Sequence, residues 1–246
     1  MNTTKEYSRG TNRKTAIIVG ILYIIGTVAG ILSLVFTGPV LEEPDYLIQV
    51  STNPNQIVIG ALFVLTMGLA LAMVPVMMFP IMKRYNEALA VGYVLFRGAL
   101  ETATYLALVI GWLSLTSISQ GYANGTAADT LYFQSLGDVV LRAHDQIGHV
   151  LTIVFVLGAL MFYYVLYRSK LVPRWLSGWG LLAAIPYFVS GILGLFAVLS
   201  LTSPGQMVLV LPLAVQEMVL AGWLIVKGFN SSSVTFVSAQ VAPTRA

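Results

Sequence analysis

The chain has no cysteine among its 246 residues, which excludes disulfides, thiolate metal sites, cysteine nucleophiles and cysteine-borne lipid anchors. Charge is nearly as scarce. Asp, Glu, Lys and Arg make up 9% of the sequence, whereas soluble domains carry about 25%. That deficit excludes a water-soluble globule of ordinary type. The phosphate-loop, Rossmann, HExxH, GxSxG and EF-hand patterns are all missing, so no cofactor and no metal is expected. The basic residues form short clusters rather than a patch, which argues against a nucleic-acid partner.

What is present is long apolar runs. Six of them span Thr15 to Thr37, Ile57 to Met82, Ala88 to Ile118, Ile147 to Tyr167, Trp175 to Leu201 and Met207 to Val226. Each has the roughly 20 residues that a helix needs to cross a hydrocarbon layer of about 30 Å. The expected fold is therefore all-α: a polytopic membrane protein with six transmembrane helices in one bundle and the lipid bilayer as its first partner. A cytoplasmic tail over 1–14 and a disordered tail over 230–246 would flank a single membrane domain over 15–229. The first run is 23 residues long. It exceeds the roughly 7 to 15 apolar residues of a signal peptide and is read as a retained span.

The flanking charges orient this bundle. Lys5, Arg9, Arg13, Lys14, Lys83, Arg84, Arg168, Lys170, Arg174, Lys227 and Arg245 all fall on one side if the spans alternate. The other side has Arg142 as its one basic residue, against Glu42, Glu43, Asp45, Asp129, Asp138 and Asp145. The positive-inside rule then places both termini in the cytoplasm. Two long loops, over 38–56 and 119–146, lie outside. The first looks irregular because of Pro39, Pro44 and Pro54, and the second turns helical from Asp129.

Only Arg97, Glu101 and Glu217 carry charge within the runs. An ionised side chain in lipid is disfavoured by several kcal/mol unless it finds a partner or water. Arg97 and Glu101 are four residues apart and share a helical face. At about 1.5 Å per residue, Arg97 and Glu217 each lie roughly 13 Å deep and Glu101 roughly 20 Å. These depths imply a midplane cluster in which one guanidinium bridges two carboxylates, as a candidate site for a small ligand or a proton. Two acids and one base leave net negative charge or one protonated carboxyl. The same network could instead pin helices in register.

A second group lies toward the outer surface. Asp138, Arg142, Asp145 and His149 are spaced to share one face of a continuous helix and could line an outer vestibule, with His144 pointing elsewhere. A metal there would need a further ligand from Glu42, Glu43 or Asp45. Within the spans, Gly26 and Gly30 form a GxxxG pair suited to packing a neighbour in the same chain. Pro75, Pro80, Pro186 and Pro212 permit kinks. Trp112, Trp175, Trp179 and Trp223 sit near span ends, as an interfacial belt would.

The stretch Tyr93-Val94-Leu95-Phe96-Arg97-Gly98-Ala99-Leu100-Glu101, with Pro212-Leu213-Ala214-Val215-Gln216-Glu217 and the Gly222-Trp223 to Gly228-Phe229 exit, resembles a prokaryotic six-span membrane family designated domain of unknown function 4386. The resemblance covers Thr15 to Phe229. It implies a multi-pass plasma-membrane protein of a prokaryote, without an assigned activity, and implies that Arg97, Glu101 and Glu217 are a shared core. Three readings stay open. The first is a ligand- or proton-binding, transport-like protein. The second is a structural or sensory protein with a purely structural ion network. The third is an intramembrane enzyme acting on lipid, with Asp145 and His149 as acid-base groups. No pattern sets an oligomeric state.

Overall fold

The computed structural model describes residues 2–41, 45–126 and 129–230, with side chains from residue 12 onward. Glu42 and Glu43 and the tail beyond Asn230 lie outside the described residues, as do the side chains of Lys5 and Arg9. Hydrocarbon offers no hydrogen bonds to a peptide group, so each apolar run must satisfy its backbone within itself, and each does so as a helix. The helices are α1 (Asn2–Leu41), α2 (Tyr46–Thr52), α3 (Pro54–Met82), α4 (Glu87–Tyr93), a π-helical segment (Val94–Leu100), α5 (Glu101–Asn124), α6 (Thr130–Ser169), α7 (Arg174–Leu195) and α8 (Pro204–Val226). Six helical stretches among the described residues are long and apolar enough to cross a membrane, with α4, the π segment and α5 forming one of them. Leu34, Leu62, Ile110, Leu182 and Leu211 point outward, each more than half exposed. The protein is a multi-pass helical membrane protein in contact with lipid.

Short connections make consecutive spans antiparallel and bring the start of α1 beside the end of α8. Arg13 fastens that end. Its Nη1 donates to the Leu224 carbonyl at 3.1 Å and its Nη2 to the Ile225 and Val226 carbonyls at 2.7 and 3.1 Å. A cation thus caps the last carbonyls of α8, where the helix dipole also favours positive charge. Small residues bring the helices close. A methyl group on Gly26 would lie 2.8 Å from Leu71 and one on Gly30 2.8 Å from Met67, so the GxxxG pair packs on α3 of the same chain. The main core gathers Tyr23, Val74, Met78, Tyr93, Phe162 and Leu220 from five of the spans.

Several elements differ from the hydropathy reading. The first long loop is not irregular throughout, because α1 runs on through Pro39 to Leu41 and α2 folds back onto α5, which itself continues to Asn124 inside the second expected loop. Tyr46, Leu47 and Val50 bury one face of α2 against a second cluster with Trp112 and Leu115. Pro54 is accommodated as the first residue of α3, where its missing N–H is no loss. The fifth apolar run reaches Leu201, yet α7 stops at Leu195. Val198 donates its N–H to the Leu193 carbonyl at 3.0 Å across Ala197, whose φ is 56°. This is a Schellman-type stop with alanine where glycine is usual, and it releases the chain into the α7–α8 turn.

Left-handed backbone costs a residue with a Cβ roughly 1–2 kcal/mol. Ala197→Gly should therefore raise stability by about 1 kcal/mol, read as a higher thermal midpoint in detergent. An unchanged or lower midpoint would mean that the Ala197 methyl group gains more from its surroundings than the backbone loses.

Candidate functional site

Arg97 reaches the interior because the helix around it is wound differently. Between Val94 and Leu100 the backbone is π-helical, and the Glu101 N–H reaches back to the Phe96 carbonyl, five residues away. One extra residue per turn rotates the rest of the helix, and single-turn π segments often occur at functional sites. Opposite this turn, α6 presents Gly158. A methyl group there would lie 2.6 Å from Arg97 Cγ and 3.3 Å from the Arg97 backbone N. The missing side chain is what lets the two backbones approach.

The guanidinium is then enclosed on all sides, at 1% exposure, with Glu101 at 0%. Its Nη1 donates to Glu101 Oε1 at 2.8 Å and to Oε2 at 2.9 Å. Its plane lies over the Phe155 ring at 4.2 Å, a cation–π contact worth more when desolvated than at a surface. The Tyr105 hydroxyl donates to Glu101 Oε1 at 3.2 Å. Glu217 stands apart. Its Oε1 is 3.6 Å from Arg97 Nη2, beyond hydrogen-bond length, and its side chain is 15% exposed. Arg97 Nη2 is buried without a hydrogen-bond partner among the described residues. The three charged residues are brought together, but unequally: one carboxylate is locked and the other is merely near.

The surroundings of the cluster are aromatic and phenolic. Tyr93 stacks on Phe162 at 4.9 Å. The Tyr163 hydroxyl donates to Gln216 Oε1 at 2.6 Å, and Gln216 Nε2 donates to the Leu176 carbonyl at 3.0 Å, so α8 is keyed to α6 and α7 one residue before Glu217. None of Tyr105, Tyr163, Gln216, Phe155 or Gly158 was expected from the sequence. For Tyr105 a signal existed: tyrosine prefers membrane interfaces, and Tyr105 lies away from the ends of its run.

The second group of candidates does not form one site. Helix α6 is continuous, as expected, but its face passes through different surroundings. Near its start Asp138 accepts a hydrogen bond from the Tyr46 hydroxyl at 2.9 Å, which ties α2 to α6. Burial and this carboxylate together push the Tyr46 phenol above its ordinary range. Arg142 and Asp145 are exposed. His149 is buried at 1%, its ring lying where any side chain on Gly194 would sit. His144 accepts the indole N–H of Trp112. Trp112 is therefore packed between helices and not turned outward. Asp45 stands at the N-terminus of α2, without capping it through its side chain. His149 is six residues from Phe155 on α6, the ring that covers the Arg97 guanidinium, so it lies about 9 Å along the axis from that level.

Gly158→Ala should destabilise the protein by about 1–3 kcal/mol, the usual cost of overpacking. Gly222, beside which an added methyl group meets nothing within 4 Å, is the control. Gly222→Ala should be neutral or stabilising by up to about 1 kcal/mol. Equal thermal midpoints for the two variants would show that the Arg97 turn is not closely held against α6.

No protein of curated function and no solved structure gives a significant match to this chain. The model of one family, described as Domain of unknown function (DUF4386), matches residues 18–228 and so takes in Arg97, Glu101 and Glu217 together. Over that length the match leaves out little more than the two tails, and the chain belongs to the DUF4386 family.

Proposed function

We propose that this protein binds a proton at Glu217, within the membrane, and that it is a transport-like protein of a prokaryotic plasma membrane with both termini in the cytoplasm. The observation that carries the reading is the unequal treatment of the two carboxylates. Arg97 commits Nη1 to Glu101 and leaves Nη2 at 3.6 Å from Glu217 without a closed hydrogen bond. The pair Arg97 and Glu101 is neutral as a unit, so Glu217 carries the charge that nothing cancels. Taking up a proton removes that charge, and releasing it restores attraction to Nη2. A proton needs no ligand-sized cavity, which suits a cluster enclosed by Phe155, Gly158 and Tyr105. A small cation would have to displace packed side chains.

The structural reading has its own support in the same burial: Arg97 and Glu101 are closed off by a close helix contact, as a register device would be. Intramembrane catalysis is supported less. The His149 ring is packed against Gly194 on α7, and about 9 Å of helix axis separates His149 from Phe155, the ring that covers the Arg97 guanidinium.

The two carboxylates should respond differently to neutralisation. Glu101→Gln leaves a buried guanidinium without its counter-ion and should cost about 3–5 kcal/mol. Glu217→Gln resembles the protonated state and should cost about 1 kcal/mol or less. Infrared difference spectra between acid and alkaline nanodisc samples should show a titrating carboxyl band that Glu217→Gln removes. If the band survives in Glu217→Gln, proton binding at Glu217 is wrong. Normal folding of a triple variant with apolar residues at 97, 101 and 217 would leave the structural reading in place.

A further inference from the structure

A cavity of about 580 Å³ opens at the end of the bundle that carries the termini, between the α6–α7 connection and the end of α8. Its walls include Lys170, Arg174 and Lys227, and the described residues that line it include no Asp or Glu. All three cationic residues are exposed. Arg174 is held over the Tyr167 ring at 5.3 Å, so its guanidinium has a defined place. Arg13 adds positive charge behind the wall, where a methyl group on Gly228 would lie 2.9 Å from its Nη1, although its donors are committed to α8. The cavity also includes Pro173 and Arg174, where α7 begins. There Leu176 and Ser177 return their N–H groups to the Pro173 carbonyl, while the N–H groups of Arg174 and Trp175 lie ahead of the helical ladder. The remaining wall has an apolar and aromatic part, Leu171, Val172, Trp223 and Phe229, completed by Gly228 and the polar Asn230. Trp223 is set edge-on to Trp175 at 6.4 Å.

We propose that this cavity binds a phosphate-bearing anion. Lys and Arg side chains lining one cavity, with a helix N-terminus beside them, are the chemistry that phosphate oxygens select. The volume exceeds what a bare phosphate needs, and the Trp223 and Phe229 wall offers an apolar surface beside the cations. That combination fits a phosphoglycerol head group at the level where two apolar helices end, and the phosphate is the element shared with any free phosphate compound. A general preference of membrane proteins for basic residues on one side does not account for the arrangement, because Lys83 and Arg84 lie at the same end and line no part of the cavity.

The test is native mass spectrometry of the full chain released from phosphatidylcholine nanodiscs containing phosphatidylglycerol, with tryptophan fluorescence during titration with inorganic phosphate as the second arm. Wild type and the double variant Lys83→Gln, Arg84→Gln should retain phosphatidylglycerol adducts alike. Arg174→Gln combined with Lys227→Gln should reduce them by about tenfold or more, the scale of losing charge-assisted hydrogen bonds. The charge-preserving pair Arg174→Lys, Lys227→Arg should restore most of the signal. A phosphate-induced fluorescence change without lipid adducts, lost in the Arg174, Lys227 variant, would assign the site to a soluble phosphate compound and still support it. Two results overturn the proposal: equal loss of adducts in both glutamine pairs, or no response to either probe in wild type.

Discussion

A guanidinium cannot be left alone in hydrocarbon, and the centre of this protein is arranged around that constraint. Arg97 is enclosed at 1% exposure, where the cost of an unpaired charge would consume much of the stability of a domain. Its neighbours each remove part of the cost. Glu101 accepts two hydrogen bonds from one nitrogen, and the Phe155 ring takes the flat face. The absent side chain of Gly158 lets the π turn lie against α6. Because Arg97 and Glu101 belong to one helical stretch, the pair forms locally. The contacts with Phe155, Gly158 and Glu217 then require α6 and α8 to be in place, so the complete cluster forms only in the assembled bundle.

Elsewhere within the spans, polar side chains solve the same problem through the backbone. Thr37 donates to the Ser33 carbonyl at 2.9 Å, Thr66 to Leu62 at 2.8 Å and Thr152 to Gly148 at 3.0 Å, each one turn back along its own helix. Such bonds satisfy a hydroxyl without demanding anything of a neighbouring helix. Others cross between helices, among them Gln216, to Tyr163 and Leu176, and Trp112, to His144. These crossings fix the rotation of α8 relative to α6 and α7, and of α5 relative to α6. They explain why the chain places amide, indole and imidazole groups where leucine would be easier to bury.

Much of the fold was legible because hydropathy and length are local quantities. Six runs of about 20 apolar residues can hardly be anything but membrane helices, and the GxxxG pair of Gly26 and Gly30 packs within the chain as its spacing suggests. The proximity of Arg97, Glu101 and Glu217 was also readable, since charge in lipid must converge. What the sequence could not convey was geometry set by tertiary contact. The π turn has no residue signature, since Val94–Leu100 reads as ordinary helix. The end of α7 is hidden because Ala197 takes a left-handed conformation with no glycine to announce it. Helix α2 falls in a stretch flanked by Pro44 and Pro54, and its buried face is only three residues wide. The α6 residues from Asp138 to His149 do share a face, but sharing a face does not make a site when the neighbours of that face change from turn to turn.

The inequality between Glu101 and Glu217 arises from where each is anchored. Glu101 is one helical step from its partner, so its distance to Arg97 is set by the chain itself. Glu217 arrives on α8, which Gln216 helps to hold in place. That side chain is held by Tyr163 at 2.6 Å and by the Leu176 carbonyl at 3.0 Å. With residue 216 fixed to two other helices, the backbone at 217 cannot shift toward Arg97 without breaking a buried hydrogen bond, at a cost of about 1–3 kcal/mol. Glu217 can close its gap of 3.6 Å by turning its side chain. A change of charge on Glu217 would then be expressed first as a side-chain rotation and only secondarily as a helix movement. On the proposed reading of Glu217, one group in a packed interior would alternate between two states while the bundle around it stays in one.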